Sequence, residues 1–150
     1  MAVYKNPHSS GPRGRGAALL PDGRFLDWQR APFDDGWANS DEAAAPAPVT
    51  RLQVDSAKSV LTFNRSPDVP HDRSINPYRG CEHGCIYCFA RPSHAYLDLS
   101  PGLDFETRLF WKPDAPALLR RELARPGYRC APIALGINTD AWQPVERHTG

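Results

Sequence analysis

The stretch that decides the reading is Gly80-Cys81-Glu82-His83-Gly84-Cys85-Ile86-Tyr87-Cys88-Phe89-Ala90-Arg91-Pro92, which carries three of the chain's four cysteines in the spacing C-x3-C-x2-C. Thiolates are soft ligands, and three of them in so short a run select zinc or an iron–sulfur cluster. Gly84 allows the tight turn that brings them together. Structural zinc wants four closed ligands. Cys130 lies far downstream with no CxxC partner, and there it reads as a small buried hydrophobe. His71, His83 or His94 could complete a Cys3His zinc site. A 4Fe-4S cluster normally takes four cysteines, so three with no fourth at cluster spacing leave one iron open to an outside ligand. Donor chemistry alone leaves both metals open, and the sequence singles out no catalytic residue.

Working outward, the rest of the chain narrows the class. It has 150 residues, with 18 Lys plus Arg against 17 Asp plus Glu and a net charge of +1. That balance gives no general pull toward nucleic acid or an anionic membrane. No apolar run approaches a membrane span, and the polar N-terminus has no secretory h-region. The expected compartment is therefore cytoplasmic and reducing, where clustered cysteines bind metal or work in redox rather than form disulfides. Residues 1–49 read as a disordered or loop-rich extension, and the Arg/Gly tract ending at Gly16 reads as a solvated tail. Within it, Phe25, Trp28, Phe33 and Trp37 read as isolated anchors. Residues 40–48 (SDEAAAPAP) are linker-like.

From Thr50 onward alternation begins. Leu52 and Val54 suggest one short strand, and Val60, Leu61 and Phe63 another. Pro77 keeps Asn76 extended on the way into Gly80. Phe89 to Leu97 reads as a helix with Pro92 near its start. Glu106 to Trp111 reads as a strand. Asp114 should cap a helix with Ala115, Leu118, Leu119 and Leu123 on its apolar face. Pro132 to Ile137 reads as a strand buried on both faces, ending in Asn138-Thr139-Asp140. Polar groups at such a strand end mark the ligand-binding edge of an α/β sheet or barrel. The fold class expected is α/β. One or two βα units cannot close a barrel. Residues 50–150 are accordingly expected to be the N-terminal part of a longer core.

Cys81-x3-Cys85-x2-Cys88, with Tyr87 before the last cysteine, resembles the signature of the radical S-adenosyl-L-methionine (SAM) superfamily. The context from Ser74 through Pro92 resembles a bacterial subgroup related to spore photoproduct lyase and labelled "DNA repair photolyase". The likeness continues through Ser66-Pro67-Asp68, Asp104-Phe105-Glu106-Thr107, Asn138-Thr139-Asp140 and Gln143-Pro144, and more faintly through Gly14-Arg15-Gly16-Ala17. It implies the start of a partial (β/α) barrel, incomplete in this chain. It implies that Cys81, Cys85 and Cys88 ligate a 4Fe-4S cluster and that SAM chelates the fourth iron. Reductive cleavage of SAM would then yield a 5′-deoxyadenosyl radical that abstracts hydrogen from a substrate.

By position the resemblance puts Tyr87 near the SAM adenine and Asn138, Thr139 and Asp140 near the SAM amino group. The usual Gly-Gly-Glu pattern is absent there, and Gly136-Ile137-Asn138-Thr139-Asp140 stands in its place. It implies a flavodoxin- or ferredoxin-like electron donor, and the lack of a membrane-length apolar run leads to the expectation of no membrane partner. A DNA lesion would be the substrate by the family's label, although no basic, aromatic-laced strip for phosphates and an extruded base is visible. The alternatives carried beside it are a non-catalytic iron–sulfur or zinc-binding module and an inactive truncated fragment.

Overall fold

Leu52 and Val54 alternate with polar neighbours, and β1 (Arg51–Val54) is the strand they form. The computed structural model describes residues 14–17, 21, 22, 24, 25, 27 and 48–149. The expectations for most of residues 1–49, including the linker at 40–48, lie outside the described residues. Two contacts inside that extension bear on those expectations. Phe25 stacks on Tyr96 with ring centroids 5.2 Å apart, as an anchor should. Gly14–Ala17 lies against the cysteine loop rather than free in solvent, which corrects the reading of that tract as a tail.

The described residues form two three-stranded mixed sheets. In the first, β1 runs parallel to β5 (Arg108–Trp111), and β4 (Tyr78–Arg79) pairs antiparallel on the other side of β5. In the second, β2 (Leu61–Phe63) is antiparallel to β3 (Arg73–Ile75), which is parallel to β6 (Ala134–Leu135). The described residues therefore hold two parallel strand pairs and do not by themselves trace a barrel.

Among the described residues, apolar packing gathers in three places. Val60, Leu61, Ile75 and Leu118 form the cluster under α2 (Ala115–Leu123). Tyr78, Leu109 and Val145 form a second, flanked by Leu52 and Trp111. Cys81, Ala90 and Phe105 form a third, with Cys88 packed against it. Burying a side chain such as Leu109 contributes about 1.5–3 kcal/mol. Cys81 is thus part of the core, with Cys88 at its margin.

The helices depart from expectation in instructive ways. Pro116 sits in the first turn of α2, where its missing N–H costs nothing. Asp114 precedes the helix but makes no side-chain capping bond; its backbone carbonyl accepts from Leu118 instead. Leu123, expected on the apolar face, is exposed. The segment after the cysteines is a 3-10 helix, Arg91–Leu97, ending at Asp98 in the left-handed region.

Glu106, expected in a strand, belongs to α1 (Leu103–Thr107), and the strand starts only at Arg108. Asp104 and Glu106 enrich the first turn of α1 in negative charge, which suits a helix N-terminus. The 132–137 run pairs only at Ala134 and Leu135, because Gly136 turns at φ +72° and ends the strand. Leu135 is 47% exposed, so this strand is not buried on both faces.

Candidate functional site

The cysteine loop leaves β4 through Gly80, whose φ of +81° is open to glycine at little cost. A Cβ there would also come 2.9 Å from the Phe105 carbonyl oxygen. That carbonyl accepts the Cys81 N–H at 3.0 Å. Gly84 turns at φ +66°, which confirms the expected tight turn. The Cys88 N–H then donates to the Cys85 carbonyl at 3.2 Å, closing a turn between the second and third cysteines.

The segment after β6 folds back onto this loop. Gln143 is buried; its Oε1 accepts the Glu82 N–H at 2.9 Å, and its Nε2 donates to the Gly80 carbonyl at 3.4 Å. Asp140 meets His83 at 3.1 Å and also accepts the Trp142 N–H at 2.8 Å, closing its own turn. Asn138 and Thr139 hold the lead-in strand: the Asn138 N–H donates to the Asn76 side-chain oxygen, and the Thr139 hydroxyl to the Tyr78 carbonyl, both at 2.9 Å. Beside this seam lies a polar cavity of about 240 Å³ lined in part by Asn76, Arg79, Lys112, Asn138 and Thr139. Arg79 and Lys112 share Asp55 across 2.9 and 3.5 Å. Burial pushes the Lys112 amine down, against the pull of Asp55.

Two buried carboxylates brace the loop from below. Glu106 is 0% exposed and pairs with Arg91 at 2.5 Å. The same guanidinium donates to the Cys85 carbonyl at 2.9 and 3.0 Å. Glu82 accepts from the Thr50 hydroxyl and from Arg15, the latter at 3.5 Å. A buried carboxylate is tolerated only when paired and hydrogen-bonded, and both are. Burial pushes the Cys81 thiol above its ordinary value, while the backbone N–H groups of His83 and Asp140 pull the other way. Those N–H groups would stabilise a thiolate there.

The structure thus brings Cys81, His83, Asp140 and Gln143 into one contact region. Tyr87 stands apart, 86% exposed, and Phe89 is exposed as well, so neither is a core aromatic. His94 is buried with its Nε2 on the Arg108 carbonyl at 2.9 Å. Cys130 is exposed, correcting its reading as a buried hydrophobe. Gln143, Glu82, Glu106 and Arg15 are residues to which sequence reasoning gave no role. The available signal was that acids beside a thiolate loop must find cations, and Arg15 and Arg91 are those cations.

Among the described residues, no three His, Cys, Asp or Glu side chains converge on one metal position. A cluster binds each thiolate at a different iron, so convergence on one point is not its requirement. Cys81, Cys85 and Cys88 are free thiols on one loop, two of them within the same small apolar cluster. In kind and number these donors fit a 4Fe-4S cluster with one open iron.

No family model matches the chain. No solved structure matches it either. It is similar to uncharacterized proteins of Mycobacterium bovis and of two strains of Mycobacterium tuberculosis, at 51% identity over 92 residues. The match covers 59% of this chain and 26% of each relative, so the chain spans about a quarter of the length of the curated relatives it matches.

Proposed function

We propose that this chain carries the cluster-binding part of a radical SAM enzyme. The observation that carries the reading is the loop itself: three unbridged thiols at C-x3-C-x2-C spacing, the first buried against Ala90 and Phe105. Cys81, Cys85 and Cys88 would hold the cluster, and Asn138, Thr139 and Asp140 would face the SAM amino group, with Tyr87 beside the adenine. When bound, cluster and SAM would supply reductive SAM-cleavage chemistry for hydrogen abstraction from a substrate, with the electron drawn from an external flavodoxin- or ferredoxin-like donor.

The protein's own part is to orient and to shield. Gln143 fixes the Cys81 peptides, and Arg91 fixes the Cys85 carbonyl. His83 ties the thiol-bearing loop to Asp140 of the proposed SAM-facing segment. Among the described residues, no helix is long and apolar enough to cross a membrane.

The reading is tested by anaerobic reconstitution with iron and sulfide. It expects about four irons and four sulfides per chain, with broad visible absorption that is lost when Cys85 is replaced by alanine. About one zinc per chain with no sulfide-dependent colour would favour a structural zinc module instead.

A further inference from the structure

Gly14–Ala17 crosses the cysteine loop as a strap, and two glycines make the approach possible. A Cβ on Gly16 would overlap the Gly84 carbonyl oxygen, and a Cβ on Gly84 would come 2.6 Å from the Arg15 Cβ. The strap turns on itself through Gly14 N–H to the Ala17 carbonyl at 2.8 Å. It is then tied to both buried carboxylates. The Gly16 N–H donates to the Glu106 carboxylate at 3.0 and 3.3 Å. The Arg15 guanidinium donates to the Glu106 backbone carbonyl at 2.6 Å, to the Thr50 hydroxyl at 2.9 Å and to the Glu82 carboxylate at 3.5 Å.

We propose that Gly14-Arg15-Gly16 is a positioning element of the cysteine site, holding the Cys81–Cys85 turn in shape before metal arrives. The proposal rests on reading the three cysteines as a metal site. The connection is a continuous chain of contacts. Gly16 reaches Glu106, Glu106 pairs with Arg91, and Arg91 holds the Cys85 carbonyl. On the other side Arg15 reaches Glu82, which lies next to Cys81. None of the three touches a thiol directly, so each acts through the loop. Arginine suits this place because one planar fork serves several acceptors at once, which a lysine ammonium on its flexible stem does less well. A loop ordered beforehand spares the ordering cost at binding.

The test compares Arg15→Ala, Arg15→Lys and Gly16→Val with the unaltered chain. The first readout needs no metal: alkylation rates of Cys81, Cys85 and Cys88 in the apoprotein, with exposed Cys130 as internal reference. The second is cobalt(II) affinity read from thiolate charge-transfer absorption. Loss of a supporting contact of this kind costs about 10–100-fold in metal affinity. Arg15→Ala and Gly16→Val are expected to show that loss and faster alkylation of the three loop cysteines relative to Cys130. Arg15→Lys should fall between.

Loop alkylation unchanged relative to Cys130 in both Arg15→Ala and Gly16→Val overturns the proposal. If Gly16→Val fails to fold, Arg15→Ala decides. If the unaltered chain takes up no cobalt, the metal reading fails, while the alkylation ratios still decide whether the strap shapes the loop.

Discussion

Gln143 brackets Cys81, accepting the Glu82 N–H at 2.9 Å and donating to the Gly80 carbonyl at 3.4 Å. One buried amide thereby satisfies the peptides on both sides of the first cysteine. A buried polar group left unpaired costs about 1–3 kcal/mol. Gln143→Ala frees two such groups, so it should lower stability by a few times that unit and speed Cys81 alkylation. Gln143→Glu keeps the acceptor, loses the donor and buries an unpaired charge, so it too should be less stable than the unaltered chain and speed Cys81 alkylation. Urea unfolding and cysteine mapping read both effects. Equal Cys81 reactivity in all three proteins would remove Gln143 from the site.

Arg91 and Glu106 form the ion pair beneath the loop. Removing one member of a buried pair costs about 3–5 kcal/mol, because the other charge stays behind. Arg91→Ala should therefore destabilise strongly, and Arg91→Met with Glu106→Leu should recover much of the loss. The recovery should not extend to Cys85, whose carbonyl loses its donor in both variants. A double variant no more stable than Arg91→Ala would contradict this account.

Glu122 reaches from α2 to the second sheet, accepting the Leu61 N–H at 2.9 Å and the Val60 N–H at 3.2 Å. Burial raises its carboxyl, but these donors and Ser59 outweigh that, and it titrates below the ordinary 4.5. The folded state thus prefers the charged form more than the unfolded chain does. Its contribution is present above that value and lost as pH falls below it. Glu122→Gln should lower the melting temperature at neutral pH and flatten its fall on acidification. Parallel melting curves across pH for the two proteins would count against the carboxylate's role.

His94 gives the opposite case, a buried base kept neutral. Burial pushes it below its ordinary 6.5, against the pull of the Arg108 carbonyl, and its Nδ1 has no partner. The unfolded chain takes up the proton first, so stability should decline as pH drops below 6.5. His94→Gln, which keeps a donor for Arg108, should show a shallower loss between about pH 7 and pH 5. An unchanged slope would mean that His94 is not the group responsible.

The cysteine loop was legible because its information is local: three thiols and a turn glycine within one short run. The strands at Leu52 and Leu61 were legible for the same reason, through alternation. Glu106 was misread because strand propensity extends smoothly from Glu106 to Trp111, while its helical place is set by distant partners, Arg91 and Gly16. The 132–137 run looked fully buried, yet Gly136 ends the strand and Leu135 faces outward. Gln143, Arg15 and Cys130 share one cause of error. Their roles are fixed by which segment folds back on which, and no periodicity encodes that.

The central claim is tested most directly by incubating the reconstituted, dithionite-reduced protein with SAM and quantifying 5′-deoxyadenosine, beside Cys81→Ala, Cys85→Ala, Cys88→Ala and Cys130→Ala. The account predicts 5′-deoxyadenosine and methionine in equal amounts from the unaltered chain and from Cys130→Ala, and none from the other three. A chain that holds its full complement of iron and sulfide yet yields no 5′-deoxyadenosine would contradict it.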